Sequence, residues 1–260
     1  MAKSNRLIKV TAGRLVYAVC YTQAIGGDSP KTRAAKNKCS SLARQKVNFN
    51  CAWKKCQLMM ATNFSRRDLY ITFGFDDNHL PPTRKDGKKI IQKFMDRMRA
   101  ARRVNGEELK YMYAPHELQD DGSRRLHFHL LVNATEGQKD FELIRSLWEW
   151  GDNIEIIQVC DSEHYHNDDF LELAQYFMRE RNPDAPLTAV GDKGFVGSRN
   201  LSKPTRESEL VDDSLTISSP PGAIILDTDC KQNEYGSYRY ISYLLPEKPK
   251  KRSKQSYKKE

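Results

Sequence analysis

Leu126-His127-Phe128-His129-Leu130-Leu131-Val132 is the stretch on which the fold turns. On a strand, residues two apart point to the same face. His127 and His129 therefore share one face, while Leu126, Phe128, Leu130 and Val132 share the other. The apolar face asks for a core beneath it. The two imidazoles ask for a ligand or polar partners, because leaving such groups buried and unpaired is costly. Two imidazoles one above the other can chelate a metal, although a half-exposed strand with two incidental histidines gives the same pattern.

Reading upstream from this strand, residues 109–118 and 124–133 form a hairpin around Asp120-Asp121-Gly122-Ser123. The turn sets the register. A three-residue loop at 121–123 puts Glu117 opposite His127 and on its face, and a two-residue loop puts His116 there instead. Two histidines and one carboxylate suit a divalent cation such as Mg²⁺ or Mn²⁺.

Farther upstream, residues 68–75 alternate, with Leu69, Ile71, Phe73 and Phe75 on one face and Tyr70 and Thr72 on the other, which predicts a strand. Ile90, Ile91, Phe94, Met95 and Met98 recur at helical spacing among lysines and arginines and predict an amphipathic helix over about 86–103. Residues 38–62 lack Pro and Gly and read as helix, broken near 48–50. Residues 1–35 read as irregular, with one short strand near 15–21.

Downstream, Phe141, Ile144, Leu147 and Trp148 mark a second amphipathic helix ended by Gly151. Residues 154–159 predict a strand, and Phe170, Leu173, Ala174 and Phe177 a helix over about 168–181. Residues 182–222 read mainly as loop, and 223–245 as one more strand followed by a Tyr-rich segment. The order of elements predicts an α+β fold: a central antiparallel sheet of about five strands carrying His-x-His, flanked by helices. The expected organisation is a basic, partly helical segment over 1–60, a main domain over 61–205, an extension over 206–246 and a disordered basic tail over 247–260.

On the 168–181 helix, Tyr176 lies at the margin of the apolar stripe, with Glu172 four residues before it and Arg179 three after. Its ring can rest on the core while its hydroxyl reaches the sheet surface. A nearby cation would favour phenolate and steady a phosphate. The chain has 12 tyrosines, so composition does not single this one out.

Charge and composition narrow the partners. The net charge is +9, with 14 basic and 2 acidic residues over 1–70, 10 basic and 21 acidic over 127–246, and 7 basic and 2 acidic over 247–260. Basic ends around an acidic middle suit a polyanion such as DNA, or a solvated surface. No apolar run is long enough to span a bilayer, and no secretory signal is seen after Lys3 and Arg6. Six scattered cysteines do not look like a disulfide framework, so the cytosol is expected. Cys160 and Cys230 read as small core hydrophobes.

Taken in order, these stretches resemble the His-hydrophobe-His endonucleases, specifically replication-associated proteins of filamentous-phage and plasmid type. Residues 68–73 look like the family's first motif, and Glu117 with His127-Phe128-His129 like its metal motif. Leu147-Trp148-Glu149-Trp150-Gly151 resembles its Trp-x-x-Gly, and Ala174-Gln175-Tyr176-Phe177-Met178-Arg179 its Tyr-x-x-Lys helix. Ser198-Arg199-Asn200-Leu201-Ser202-Lys203-Pro204 resembles a segment common downstream. Arg179 stands where the family has lysine, and only one tyrosine is evident on the nucleophile helix.

The resemblance implies an endonuclease core over about 60–205 that initiates rolling-circle replication. It implies Tyr176 as nucleophile with Arg179 beside it, and a divalent cation (Mg²⁺ or Mn²⁺) on His127, His129 and Glu117. The implied product is a 5′-phosphotyrosine and a free 3′-hydroxyl. The DNA contacts would be Thr72, Arg124, Arg125, Arg199 and Lys203. The substrate would be single-stranded DNA at a replication origin, in the cytoplasm of a prokaryotic host. The chain shows no helicase or P-loop motif, so a host helicase and DNA polymerase would be partners. A mobilisation relaxase or a tyrosine transposase would share this chemistry. A non-enzymatic DNA-binding regulator would bind without metal or adduct, and a structural zinc protein would use Cys39, Cys51 and Cys56.

Overall fold

A computed structural model describes residues 4–23, 42–119, 121–135, 138–182, 193–212, 215–234 and 236–247. The expectations for Cys39 and for the tail beyond Glu247 lie outside the described residues. The fold is α+β, with two five-stranded sheets and four helices among the described residues. It divides into two compact units. One holds residues 1–10, 14–24 and 206–260, and the other residues 11–13 and 25–205.

The larger unit is built on the sheet anticipated around His-x-His. Its strands are β3 (Leu69–Gly74), β4 (Tyr111–Leu118), β5 (Arg124–Val132), β6 (Ile154–Gln158) and β7 (Val196–Gly197), in the order β6-β3-β5-β4-β7. Every pairing is antiparallel. Beneath it lie α2 (Arg84–Val104) and α3 (Gln138–Leu147). Ile91, Phe94, Met95 and Met98 of α2 pack with Phe73, Phe128, Leu130 and Trp148 into one core. Trp148 stacks on Phe73 with ring centroids 4.0 Å apart.

Two glycines allow close approach. A Cβ on Gly87, in the first turn of α2, would stand 2.6 Å from Leu126 Cδ2, so glycine lets this helix lie directly on β5. A Cβ on Gly151 would stand 2.7 Å from the backbone nitrogen of Asp76, which donates to the Trp150 carbonyl at 3.1 Å. The Trp-x-x-Gly segment is thereby held against the end of β3.

Arg102, in the last turn of α2, is fully buried. Its guanidinium donates to Asp140 at 2.9 Å and to the Asn133 side chain at 2.8 Å. Removing either ion of such a buried pair strands the other away from water, at about 3–5 kcal/mol.

The other helices are α1 (Leu42–Asn63) and α4 (Leu171–Met178), and Gln57 of α1 donates to the Asp169 carbonyl at 2.8 Å. The sequence suggested a break in α1 near 48–50, yet the helix runs through. α4 starts later than read, because Phe170 is left-handed at φ 56° and the Asp169 carboxylate accepts from the Leu171 N–H at 3.0 Å.

The smaller unit was not legible as a unit. β1 (Ser4–Ala12) and β2 (Leu15–Gln23) come from the stretch read as irregular. β8 (Thr205–Val211), β9 (Ile224–Asn233) and β10 (Gly236–Leu244) come from the stretches read as loop, strand and Tyr-rich segment. They form a sheet in the order β8-β1-β2-β10-β9. The 1–60 segment and the 206–246 extension are therefore not separate appendages, since β2 pairs antiparallel with β10 from Leu15 opposite Leu244 to Tyr21 opposite Tyr238. Cys160 and Cys230 are exposed, not buried as small hydrophobes. No helix among the described residues is long and apolar enough to cross a membrane.

Candidate active site

The register of the β4–β5 hairpin resolves the choice the turn had left open. His116 lies directly opposite His127, and the register shifts between His116 and Leu118, so that Leu118 faces Arg124. Glu117 is the extra residue of a β-bulge, which turns it away from the row of imidazoles. It pairs instead with Arg84 at the start of α2. The structure thus gathers His116, His127 and His129, not Glu117, and one ring nitrogen of each lies within 4.8 Å of the others.

The hydrogen bonds around these rings fix which nitrogen can accept a metal. His116 Nε2–H donates to the Phe177 carbonyl at 3.1 Å, and its Nδ1 is buried with no hydrogen-bond partner. His127 Nδ1–H donates to the Arg125 carbonyl at 2.9 Å, the tautomer that carries its lone pair on Nε2. His129 Nδ1 lies 2.8 Å from Tyr70 Oη and 3.3 Å from Thr72 Oγ1. With that nitrogen donating to Tyr70, Nε2 holds the lone pair. Such partners orient ligating imidazoles at metal sites.

Burial pushes the His116 imidazole down to about 3. Burial also holds His129 well below the usual histidine range, helped by the neighbouring His116 and His127. Both are therefore neutral near pH 7, the form that binds metal. Three neutral imidazoles, one with an orphaned buried lone pair, fit a divalent ion.

Tyr176 meets this cluster. Its hydroxyl lies 3.3 Å from His129 Nε2. Its ring stacks on His164, with centroids 3.8 Å apart, and the Arg179 guanidinium sits 4.2 Å from its ring centre. Arg179 also donates to the Leu118 carbonyl at 2.7 Å. Tyr165, the next tyrosine along, donates its hydroxyl to Asp168, and burial pushes its phenol up.

A cleft of about 660 Å³ opens over the cluster, lined among others by Tyr70, Arg125, His164 and Arg179. Asp121, Glu155, Asp161 and Glu163 also line it, so its walls carry both signs of charge.

The expected DNA contacts scatter. Thr72 is engaged with His129. Arg125 lines the cleft but donates to the Phe75 carbonyl at 2.6 Å and pairs with Asp77. Arg124 and Lys203 are exposed on the surface. Arg199 lines a separate hollow of about 890 Å³ with Arg99, Arg103 and Tyr111. Of the aromatics considered for base stacking, Tyr70, Tyr111 and Tyr113 are buried.

Sequence reasoning did not assign Tyr70, His164 or Glu180 to the site. Alternation did place Tyr70 on the face of Thr72, and Thr72 pairs opposite His129, so that signal was present. Nothing in spacing marks His164, which lies in a loop after β6.

No curated protein and no solved structure matches the chain. Residues 68–181, the span from the entrance of β3 to the turn after α4 that holds all three histidines and Tyr176, match the family model of the ORF2-type replication-associated proteins, and over that span the chain is a member of this family of the rolling-circle replication-initiator type.

Proposed function

We propose that the chain starts rolling-circle replication by nicking single-stranded DNA at an origin and joining itself to the 5′ end through Tyr176. One observation carries this reading: the phenol oxygen stands 3.3 Å from a histidine of a three-imidazole cluster, inside a family of replication-associated proteins. The Tyr176 oxygen attacks phosphorus and an O–P bond forms. The P–O3′ bond breaks, and the departing oxygen takes a proton to become a free 3′-hydroxyl. The 5′-phosphotyrosine conserves the bond energy, so a 3′-hydroxyl can later reverse the step and rejoin the ends without ATP.

A divalent cation on His116, His127 and His129 would supply Lewis-acid neutralisation of the phosphate charge. A set of three nitrogen donors suits Mn²⁺ better than Mg²⁺, which prefers oxygen ligands. Tyr70 fixes the ring of His129. His164 and Arg179 hold the Tyr176 ring from stacking and cation–π contact, an arrangement that limits how far the phenol swings. Arg179 and Arg125 line the cleft where a phosphate backbone would pass. A duplex does not fit so narrow a cleft, which favours a single strand. Strand separation and synthesis then fall to a host helicase and polymerase.

The test incubates the full chain with a pool of single-stranded oligonucleotides and Mn²⁺. A covalent protein–DNA band is expected from the native chain and none from Tyr176→Phe. A band that persists in Tyr176→Phe rejects the assignment.

A further inference from the structure

Glu180 is almost fully buried at 3% exposure, just beyond the end of the helix that carries Tyr176. One carboxylate oxygen accepts from the backbone N–H of Glu117 at 2.6 Å and from that of Leu118 at 2.7 Å. These are the donors that the bulge in β4 turns out of the ladder, and buried backbone donors need partners. The other oxygen pairs with Arg84, which also grips Glu117 and reaches the Pro115 carbonyl at 3.4 Å. Burial works against the charge of Glu180, yet the N–H groups of Leu118 and Glu117, with His116 and Arg84, hold its carboxyl below the usual carboxylate range.

Two further bonds run between the same segments. His116 Nε2–H donates to the Phe177 carbonyl, and Arg179 donates to the Leu118 carbonyl. The last turn of α4 and residues 116–118 of β4 are therefore tied by four hydrogen bonds, and Glu180 supplies two of them through one atom.

From this geometry we infer that Glu180 is a positioning residue, whose carboxylate locks the β4 bulge to the nucleophile helix and so sets the spacing between the Tyr176 oxygen and the three histidines. The inference rests on Tyr176 being the nucleophile. The link is direct: Tyr176 precedes Glu180 by four residues on the same turn, and His116 precedes the two N–H donors by one and two. A shift of either segment moves one half of the site against the other. Misplacement of reacting groups by about 1 Å can lower a rate on the order of 100-fold.

The experiment compares Glu180→Gln with the native chain under single-turnover conditions with Mn²⁺ and one nicked oligonucleotide. The glutamine keeps an oxygen for the two N–H groups and loses the pair with Arg84. The clamp predicts a rate constant for adduct formation lower by about 10- to 100-fold, at full final amplitude, with oligonucleotide affinity within about twofold of native. A role in folding alone predicts the reverse, with reduced amplitude tracking a lowered Tm and an unchanged rate constant in the folded fraction. That outcome overturns the proposal, as does a native rate in Glu180→Gln. If Glu180→Gln does not fold, Arg84→Lys, which keeps the charge and withdraws the forked contact, carries the same two expectations. Tyr176→Phe run alongside separates the failures: an adduct that survives it overturns the nucleophile assignment, whereas an adduct lost there and formed at native rate by the clamp variants overturns the clamp alone.

Discussion

The sheet β6-β3-β5-β4-β7 lays its apolar face on two helices and gathers Phe73, Phe94, Phe128, Met98 and Trp148 beneath it. The sheet β8-β1-β2-β10-β9 buries a strip of Val16, Ala18, Ile241 and Tyr243, with Ile217, Ala223 and Leu245 alongside. Its edge strand β8 is exposed along almost its whole length, and Ile224 and Ile225 of β9 stand more than half exposed. The contrast concerns what each sheet is required to hold still. Three imidazoles and a phenol must keep sub-ångström spacing, and a close-packed core transmits position where a thin one does not.

The comparison breaks first at the histidines. His129→Ala is expected to abolish adduct formation and calorimetric Mn²⁺ binding, whereas Ile241→Ala in the other sheet leaves both in place. Mn²⁺ binding at native affinity by His129→Ala removes the metal role. Core truncations sharpen the contrast next. Phe128→Ala is expected to cost about 3–5 kcal/mol in urea unfolding, and Ile241→Ala about 2 kcal/mol, the low end for an isoleucine in a thin core. Equal costs would mean that the two sheets are equally well supported.

Acid gives a smaller, graded effect. His116 and His129 have folded-state values below the unfolded value of 6.5. Above pH 6.5 both states are neutral and no stability depends on them. Below it the unfolded chain binds protons that the folded chain refuses. The metal-free protein is therefore expected to lose up to about 1.4 kcal/mol per pH unit for each of these histidines as pH falls from about 6.5 toward about 3. Denaturant titrations at about pH 7, 6 and 5 measure this, and His116→Gln should lower the slope. The smallest effect is expected at the exposed Lys203: if DNA passes there, Lys203→Ala reduces the slope of log affinity against log salt by about 1 and changes affinity only a few-fold.

The larger unit was readable because its strands and helices carry their own periodicity. β3, β5, α2 and α3 each bury one face, and Leu69, Ile71, Phe73 and the α2 stripe announce it. The smaller unit pairs β2 with β10 across more than 200 residues, and local pattern says nothing about a partner that distant. Tyr17 stacks with Tyr240 between these strands, but neither residue looks like sheet core in its own segment. At the site, His127, His129 and Tyr176 were legible from spacing and resemblance. His116 and Glu117 were not separable, since a bulge depends on tertiary partners such as Glu180 that no local pattern encodes. Arg102 went unread for a related reason: its burial depends on Asp140, 38 residues on.

The bulge also bears on how this hairpin tolerates change. Above it, the strands meet at His116 opposite His127; below it, at Leu118 opposite Arg124. The odd residue works as an expansion joint between the loop and the metal-facing rungs. Lengthening or shortening the tip around Gly122 would re-pair only the short stretch beyond Leu118. The histidine rungs would stay where they are, so the chain is free to vary its tip while its chemistry holds register.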